Sequence, residues 1–171
     1  MQSSSRSMIG EIIDILQQGR DLLGQIDDHI FLHTIPPMFH YGISSHIRHC
    51  LDFYVCFLRG LETGYIDYDS RERDEQIEKD RTTAIKKIDS TIKQMGELVI
   101  INEQAGIFVR LEDAASNHQW SPSSIARELQ SLKSHTIHHY ALIAVLLRLQ
   151  GIEPGEEFGV SISTLRQRRA A

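Results

Sequence analysis

The segment SHTIHH, from Ser134 to His139, lies inside a long helical pattern and places three histidines within five positions. His135 and His139 are four residues apart, so on an α-helix their rings share one face and lie one turn apart. Apolar residues on both sides keep helical spacing and predict that this helix faces a core: Leu129, Leu132, Ile143, Leu146, Leu147 and Leu149. Two neutral imidazoles on one helix suit zinc, nickel, iron or copper, and they leave coordination positions to be filled from elsewhere.

A second histidine pair, His46 and His49, lies in an earlier helical pattern and is three residues apart. We predict that His49 is the third metal ligand, because it lies among apolar residues. His46 could take its place, act as a general base, or support a ligand through a hydrogen bond. Three histidines from two helices leave room for water or substrate, which is a catalytic arrangement rather than a closed structural one.

The other histidines carry weaker predictions. On a helical wheel His138 points away from the metal-binding pair, so we predict it at the surface or at an interface. His29 and His33 form a competing pair, but they come at a helix end just before a double proline, where side chains rarely hold a metal rigidly. His40 and His118 are solitary and support no prediction.

Several further polar residues adjoin the histidine faces. Arg48, Asp52 and Tyr140 are predicted either to orient a substrate or to lie on a helix surface. Cys50 is a weaker candidate for a fourth ligand, because adjacent helical residues point about 100° apart. Cys50 and Cys56 are the only cysteines, and their spacing along a helix is too long for a disulfide. Both are therefore predicted to be reduced, in a cytoplasmic protein.

The chain has 171 residues, which suffices for one domain with its own core, and we treat 1–171 as that domain. Its formal net charge of −5 argues against nucleic-acid binding. The locally basic segment Arg166–Arg169 is predicted to be a solvated tail. No run approaches the roughly 18 apolar residues that a membrane span needs, and the polar first residues do not resemble a secretion signal. We therefore predict neither nucleic acid nor membrane as a partner.

Four helical patterns of similar length predict an all-α protein, an up-down four-helix bundle. The first helix is predicted over Ser7–Asp28, with Ser7 as its N-cap. The second is predicted to be capped by Ser44 or Ser45 and to end at Gly60 and Gly64.

The third helix is predicted over Arg71–Leu98, with Ser70 as its N-cap and a solvated charged face. The fourth is predicted to start at Ser121-Pro122, with proline at the first helical position, and to run to Gln150. Between the second and third helices, Tyr65–Asp69 is predicted to be a connector. Short β-branched runs, Leu98–Ile101 and Ile107–Leu111, predict a small β-hairpin before the last helix, or else an irregular crossover.

Four segments resemble the DinB/YfiT-like superfamily of putative metalloenzymes. Ser44–Phe53 resembles its second-helix motif, and Ser134–Ala141 resembles its last-helix His-x-x-x-His motif. The connector Ile66–Arg73 and the ending Gly151–Leu165 are similar to one subgroup of these proteins. Together the resemblance runs from about His40 to Leu165, which is most of the chain.

The resemblance implies a four-helix bundle that carries one divalent metal on three histidines and often forms a homodimer. The ligands it implies here are His49, His135 and His139. Characterised members include S-transferases that use bacillithiol, mycothiol or glutathione, and a mycothiol-dependent maleylpyruvate isomerase. It therefore implies a zinc, nickel or iron enzyme that transfers a low-molecular-weight thiol to a small electrophile. A metal-dependent hydrolase, or a bundle that only binds metal or dimerises, is the alternative.

Overall fold

The structure, a computed structural model, describes residues 7–37, 39–98, 102–110 and 120–170, and these are mostly helical. They form seven helices and three short strands. In chain order the elements are α1 (Met8–Gln25), α2 (Asp28–Leu32), α3 (Ile43–Thr63), β1 (Tyr65–Asp67), α4 (Glu75–Lys79), α5 (Arg81–Glu97), β2 (Gly106–Arg110), β3 (Ser121–Ser124), α6 (Ile125–Leu149) and α7 (Ile162–Ala170). No helix among these residues is long and apolar enough to cross a membrane.

Four long helices enclose the core. Helix α1 packs against α5 and α6, and α3 packs against the same two helices. Burial of each leucine or isoleucine side chain is worth about 1.5–3 kcal/mol. All four helices contribute fully buried apolar side chains: Ile12, Leu16, Ile47, Leu51, Ala84, Ile88, Leu129 and Ile143. This packing agrees with the predicted helical bundle in its coarse form, whereas the up-down topology of the DinB/YfiT type stays a prediction.

Two of the predicted helix ends are confirmed. The Ser7 hydroxyl accepts a hydrogen bond from the Gly10 amide at 3.1 Å and caps α1. Helix α3 ends at Gly64, whose φ of 78° is left-handed and whose amide donates to the carbonyl of Gly60. The predicted cap of α3 at Ser44 or Ser45 is wrong, because the helix begins two to three residues earlier, after Gly42. A Cβ at Gly42 would lie 2.5 Å from the carbonyl oxygen of His33, so a larger residue at this position would force the backbone to shift.

Aspartate side chains interrupt two of the predicted helices. Asp27 accepts a hydrogen bond from the Ile30 amide, so α1 ends at Gln25 and the separate α2 begins after Asp27. The predicted helix Arg71–Leu98 with a Ser70 cap is also wrong. Residues 71–74 are not helical, and α4 begins after Asp74. Asp80 then ends α4 and caps the start of α5. Aspartate favours N-caps over helix interiors because its carboxylate competes for backbone amides.

The three strands form one small sheet in the order β1-β2-β3. The predicted strand at Ile107 is present as β2, but it pairs in parallel with β1 and antiparallel with β3. The start of the predicted connector Tyr65–Asp69 is thus a strand. Ser121-Pro122 lies in β3, and Ser124 caps α6 instead. Residues 99–101 and Leu111 lie outside the described residues, so the predicted hairpin stays untested.

The predicted solvated tail, Arg166–Arg169, lies within a helix. This helix is α7, in which no residue is buried, as expected for a solvated segment. Phe158 precedes this helix and anchors the segment, since its ring stacks on Tyr140 at a centroid distance of 4.9 Å. Cys50 and Cys56 are both buried and free, as predicted.

Candidate metal centre

The structure brings His49 of α3 together with His135 and His139 of α6. One ring nitrogen from each lies within 4.8 Å of the other two. The Nε2 atom of His135 is 3.2 Å from Nε2 of His49 and 3.1 Å from Nε2 of His139. Nitrogens that share a tetrahedral metal at the usual bond length are about 3.3 Å apart. The three side chains therefore approach one another closely enough to share one ion.

A buried hydrogen bond sets the register between α3 and α6. The hydroxyl groups of Tyr54 and Thr136 are 2.9 Å apart, and both residues are fully buried. The Thr136 hydroxyl donates to the carbonyl of Leu132 at 2.8 Å, so it accepts from Tyr54. Because Thr136 follows His135 directly, this contact fixes where the histidines of α6 meet α3.

Aromatic rings form the apolar side of the histidine cluster. The ring of Phe53 lies 4.3 Å from His135 and 5.0 Å from His49, measured between centroids. The ring of Tyr68, which follows β1, stacks on the ring of Phe53 at a centroid distance of 5.0 Å. The small sheet thus places Tyr68 behind the cluster, and the packed rings restrict how far the imidazoles can turn.

His46 lies behind the cluster rather than in it. Its Nδ1 is 2.9 Å from Nδ1 of His139, whereas Nε2 of His139 faces His135. The sequence left three roles open for His46: a ligand, a general base, or a hydrogen-bond partner of a ligand. Its position fits the supporting role best, because it contacts the ring nitrogen that points away from the other candidate ligands.

Burial lowers the pKa of all four imidazoles. The pKa falls to about 4 for His49, where the positive charge of His135 adds to the effect, and to about 4 for His135, where that of His138 adds. The pKa of His139 falls to about 3, and that of His46 is also lowered, chiefly by burial. At neutral pH the rings are uncharged, so their lone pairs are available to a metal.

Hydrogen bonds between the rings do not account for the close approach of the three Nε2 atoms. A neutral ring nitrogen carries either one proton or one lone pair, so Nε2 of His135 cannot bond well to both of its neighbours. Nδ1 of His135 is also buried without a hydrogen-bond partner among the described residues, and a metal on Nε2 would not supply one. A cation between the three Nε2 atoms would accept three lone pairs at once, and imidazole donors suit zinc, nickel or iron. The residues present therefore fit a divalent metal.

The remaining candidates lie apart from this cluster. His29 and His33 stack on each other 5.5 Å apart, and neither belongs to the ligand group found in the described residues. His138 is exposed, as predicted, and His40 is exposed too, whereas His118 lies outside the described residues. Cys50 is fully buried and also outside the ligand group, and burial raises its thiol pKa, which disfavours the thiolate that binds metals.

The polar neighbours differ in their roles. Tyr140 is 2 % exposed and belongs to the core, so both predictions for it, substrate orientation and a helix surface, are wrong. Arg48 donates to Asp52 at 2.7 Å and to Glu78 at 2.8 Å. Burial raises the pKa of Asp52, while the adjacent Arg48 guanidinium opposes that change. Arg48 is therefore held rigidly beside the candidate ligands.

A cavity of about 480 Å³ opens beside the candidate ligands. Its described lining comprises Tyr41, Ser45, His46, Arg48, His49, Arg71, Arg73 and His139. Sequence analysis missed Arg71 and Arg73, because it placed them in a solvated helix. The signal that could have identified them is the pair of arginines, two residues apart, in a connector that holds several turn-forming residues.

Comparison with known protein families, curated proteins and solved structures gives no match to this chain. No relative therefore assigns a function or a ligand set to the histidine cluster. The resemblance to DinB/YfiT-like proteins stays a prediction from the motifs.

Proposed function

We propose that this protein is a divalent-metal-dependent enzyme that transfers a low-molecular-weight thiol to a small electrophile. The observation that supports the metal is the convergence of three uncharged imidazole nitrogens from His49, His135 and His139 on one point. The thiol is supported by the motif resemblance and by the cavity that adjoins the cluster. The resemblance also underlies a homodimer and a cytoplasmic location, which are parts of this proposal.

The residues of the chain would divide the work as follows. His49, His135 and His139 hold the ion, and His46 keeps the His139 ring in the tautomer that offers Nε2. A bound divalent metal would supply positive charge that lowers the pKa of a thiol, so that thiolate forms at neutral pH. Phe53 shields one side of the cluster from water, and the cavity admits the electrophile from the other.

The reaction is a nucleophilic displacement. The thiolate sulfur attacks an electrophilic carbon, a carbon–sulfur bond forms, and the leaving group departs with its bonding electrons. The proton of the thiol passes to water. No oxidant or reductant is consumed, which agrees with a site built from redox-inactive imidazoles.

Cobalt-substituted protein offers a direct test. We would titrate it with 2-mercaptoethanol and follow the visible and near-ultraviolet absorption, and then supply 1-chloro-2,4-dinitrobenzene and measure chloride displacement. We expect a new sulfur-to-cobalt absorption band and a displacement rate at least tenfold above that of protein-free solution. His135→Ala should abolish both signals, whereas His138→Ala, a substitution on the same helix outside the cluster, should retain them.

Other outcomes would overturn the proposal. Metal binding without any spectral response to thiols would reject thiol transfer. Turnover of p-nitrophenyl acetate in the absence of thiol, lost in His135→Ala, would instead support the hydrolase. Light scattering after size-exclusion chromatography tests the homodimer, which a monomeric mass at micromolar concentration would contradict.

A further inference from the structure

We propose that Arg71 and Arg73 form an oxyanion-binding site beside the histidine cluster, which selects small molecules that carry a carboxylate or phosphate group. This inference deepens the proposed function, on which it rests for the thiol, because it names the class of thiol substrate. Both arginines come from the connector between β1 and α4, and both line the cavity that contains His49 and His139. Guanidinium groups match oxyanions in charge and in fork geometry.

The described lining of this cavity is basic. It includes three arginines and three histidines, and none of its described residues is acidic. The charge of Arg48 is offset by Asp52 and Glu78, which bind it directly. The two arginines of the connector add further positive charge to this lining.

Arg71 lies close to the candidate metal ligands. Its guanidinium carbon is 4.9 Å from the centroid of the Phe53 ring, a cation–π contact. The same ring packs against His49 and His135. A ligand that reaches the histidine cluster through the cavity would thus have its anionic end within reach of Arg71.

Arg73 has an unusual backbone conformation. Its φ of 51° is left-handed, which non-glycine residues adopt rarely and at an energetic cost. The neighbouring carboxylates are engaged elsewhere, since Glu72 binds Arg59 and Asp74 caps α4. Arg73 itself has no ion pair within the described ranges. Such strain is typical of residues that a binding site positions.

The size of the cavity limits the ligand to a small molecule. A volume of about 480 Å³ lies within the roughly 300–1,000 Å³ that small-molecule sites occupy. A thiol of a few carbon atoms with one carboxylate would fit between the histidine cluster and the arginines. A neutral or cationic thiol of the same length would lose the contact with the guanidinium groups.

Three thiols of similar length test this selection on cobalt-substituted protein: 3-mercaptopropionate, 2-mercaptoethanol and cysteamine. Dissociation constants come from the thiol-dependent absorption. We expect 3-mercaptopropionate to bind at least tenfold more tightly than 2-mercaptoethanol, and cysteamine to bind more weakly than either. Arg73→Gln and Arg71→Gln should each reduce the tenfold ratio to less than threefold. Comparing the same thiols between variants cancels their intrinsic differences in pKa.

Arg20→Gln is the matched control, because Arg20 is an exposed arginine on α1 that pairs with Asp21 and Asp89. This variant should keep the full ratio. If Arg71→Gln fails to fold because of its contact with Phe53, Arg73→Gln carries the test. A ratio that stays unchanged in Arg73→Gln would overturn the oxyanion site and leave the proposed function standing.

A calorimetric experiment tests the oxyanion site independently of the proposed function. It also compares a carboxylate with a phosphate as the bound anion. Metal-loaded protein is titrated with succinate and with inorganic phosphate, neither of which contains a thiol. Binding of either anion that Arg73→Gln weakens at least tenfold supports the oxyanion site, even if no thiol binds and the proposed function fails. The tighter anion identifies the preferred group. No binding of either anion, or equal binding by Arg73→Gln, contradicts the oxyanion site.

Discussion

Nδ1 of His46 lies 2.9 Å from Nδ1 of His139, so α3 supplies both a candidate ligand and the support of a ligand on α6. A histidine that binds metal through Nε2 carries its proton on Nδ1 and donates it to a neighbour. His46 is therefore placed to accept a hydrogen bond from that N–H and to fix the tautomer and the orientation of the His139 ring.

We expect His46→Ala to weaken metal binding by about 10–100-fold without abolishing it, the range seen when the hydrogen-bond partner of a ligand is removed. His46→Gln should recover part of the loss, because the glutamine amide oxygen can still accept a hydrogen bond. Competition with a chromogenic chelator measures both affinities. A loss as complete as that of His139→Ala would show instead that His46 is itself a ligand.

Metal content tests the cluster directly. Protein purified without chelators should carry about one equivalent of zinc, nickel or iron, and His135→Ala should lose it, because two imidazoles hold an ion much less tightly than three. Elemental analysis gives both values. His138→Ala should keep the metal, since His138 is exposed and lies outside the ligand group. Equal metal content in all three proteins would refute the site.

The metal-free protein should become less stable in mild acid. The pKa values of His49, His135 and His139 drop from 6.5 to about 4, 4 and 3 on folding, so below pH 6.5 the unfolded chain takes up protons that the folded chain does not. These histidines therefore cost no stability above pH 6.5, and the free energy of unfolding falls as the pH decreases towards 4. Melting temperatures of chelator-treated protein between pH 8 and pH 4.5 measure this trend.

The double variant His135→Ala/His139→Ala provides the control for this pH dependence. It removes two of the buried imidazoles, so its melting temperature should fall less steeply over the same range. Parallel pH profiles for the two proteins would mean that other groups cause the acid sensitivity.

The crossing of α1 and α6 should not tolerate an extra methyl group. A Cβ at Gly19 would overlap the hydroxyl of Tyr140, which is fully enclosed by the core. We expect Gly19→Ala to lower the free energy of unfolding by about 1–3 kcal/mol. Gly24→Ala, on the same helix with open space around it, should raise it by roughly 0.5–1 kcal/mol. Urea denaturation compares them, and equal stabilities would contradict this close helix contact.

Local signals in the sequence located part of the fold correctly. Ser7 and Gly64 mark helix ends because capping depends on the few residues around them. Asp27 and Asp80 are also local signals, because their side chains cap α2 and α5 and thereby divide the predicted first and third helices.

The sequence by itself determined that His135 and His139 share one helix face, because the helical repeat fixes the direction of residues four apart. It also indicated a helical protein whose core lies along the apolar faces. Only the tertiary structure decided that His49 joins that pair while His46 lies behind it, since this depends on the register between α3 and α6. The pairing of β1 with β2, and the cavity that Arg71 and Arg73 line, likewise unite segments distant in sequence, and no local pattern encodes such contacts.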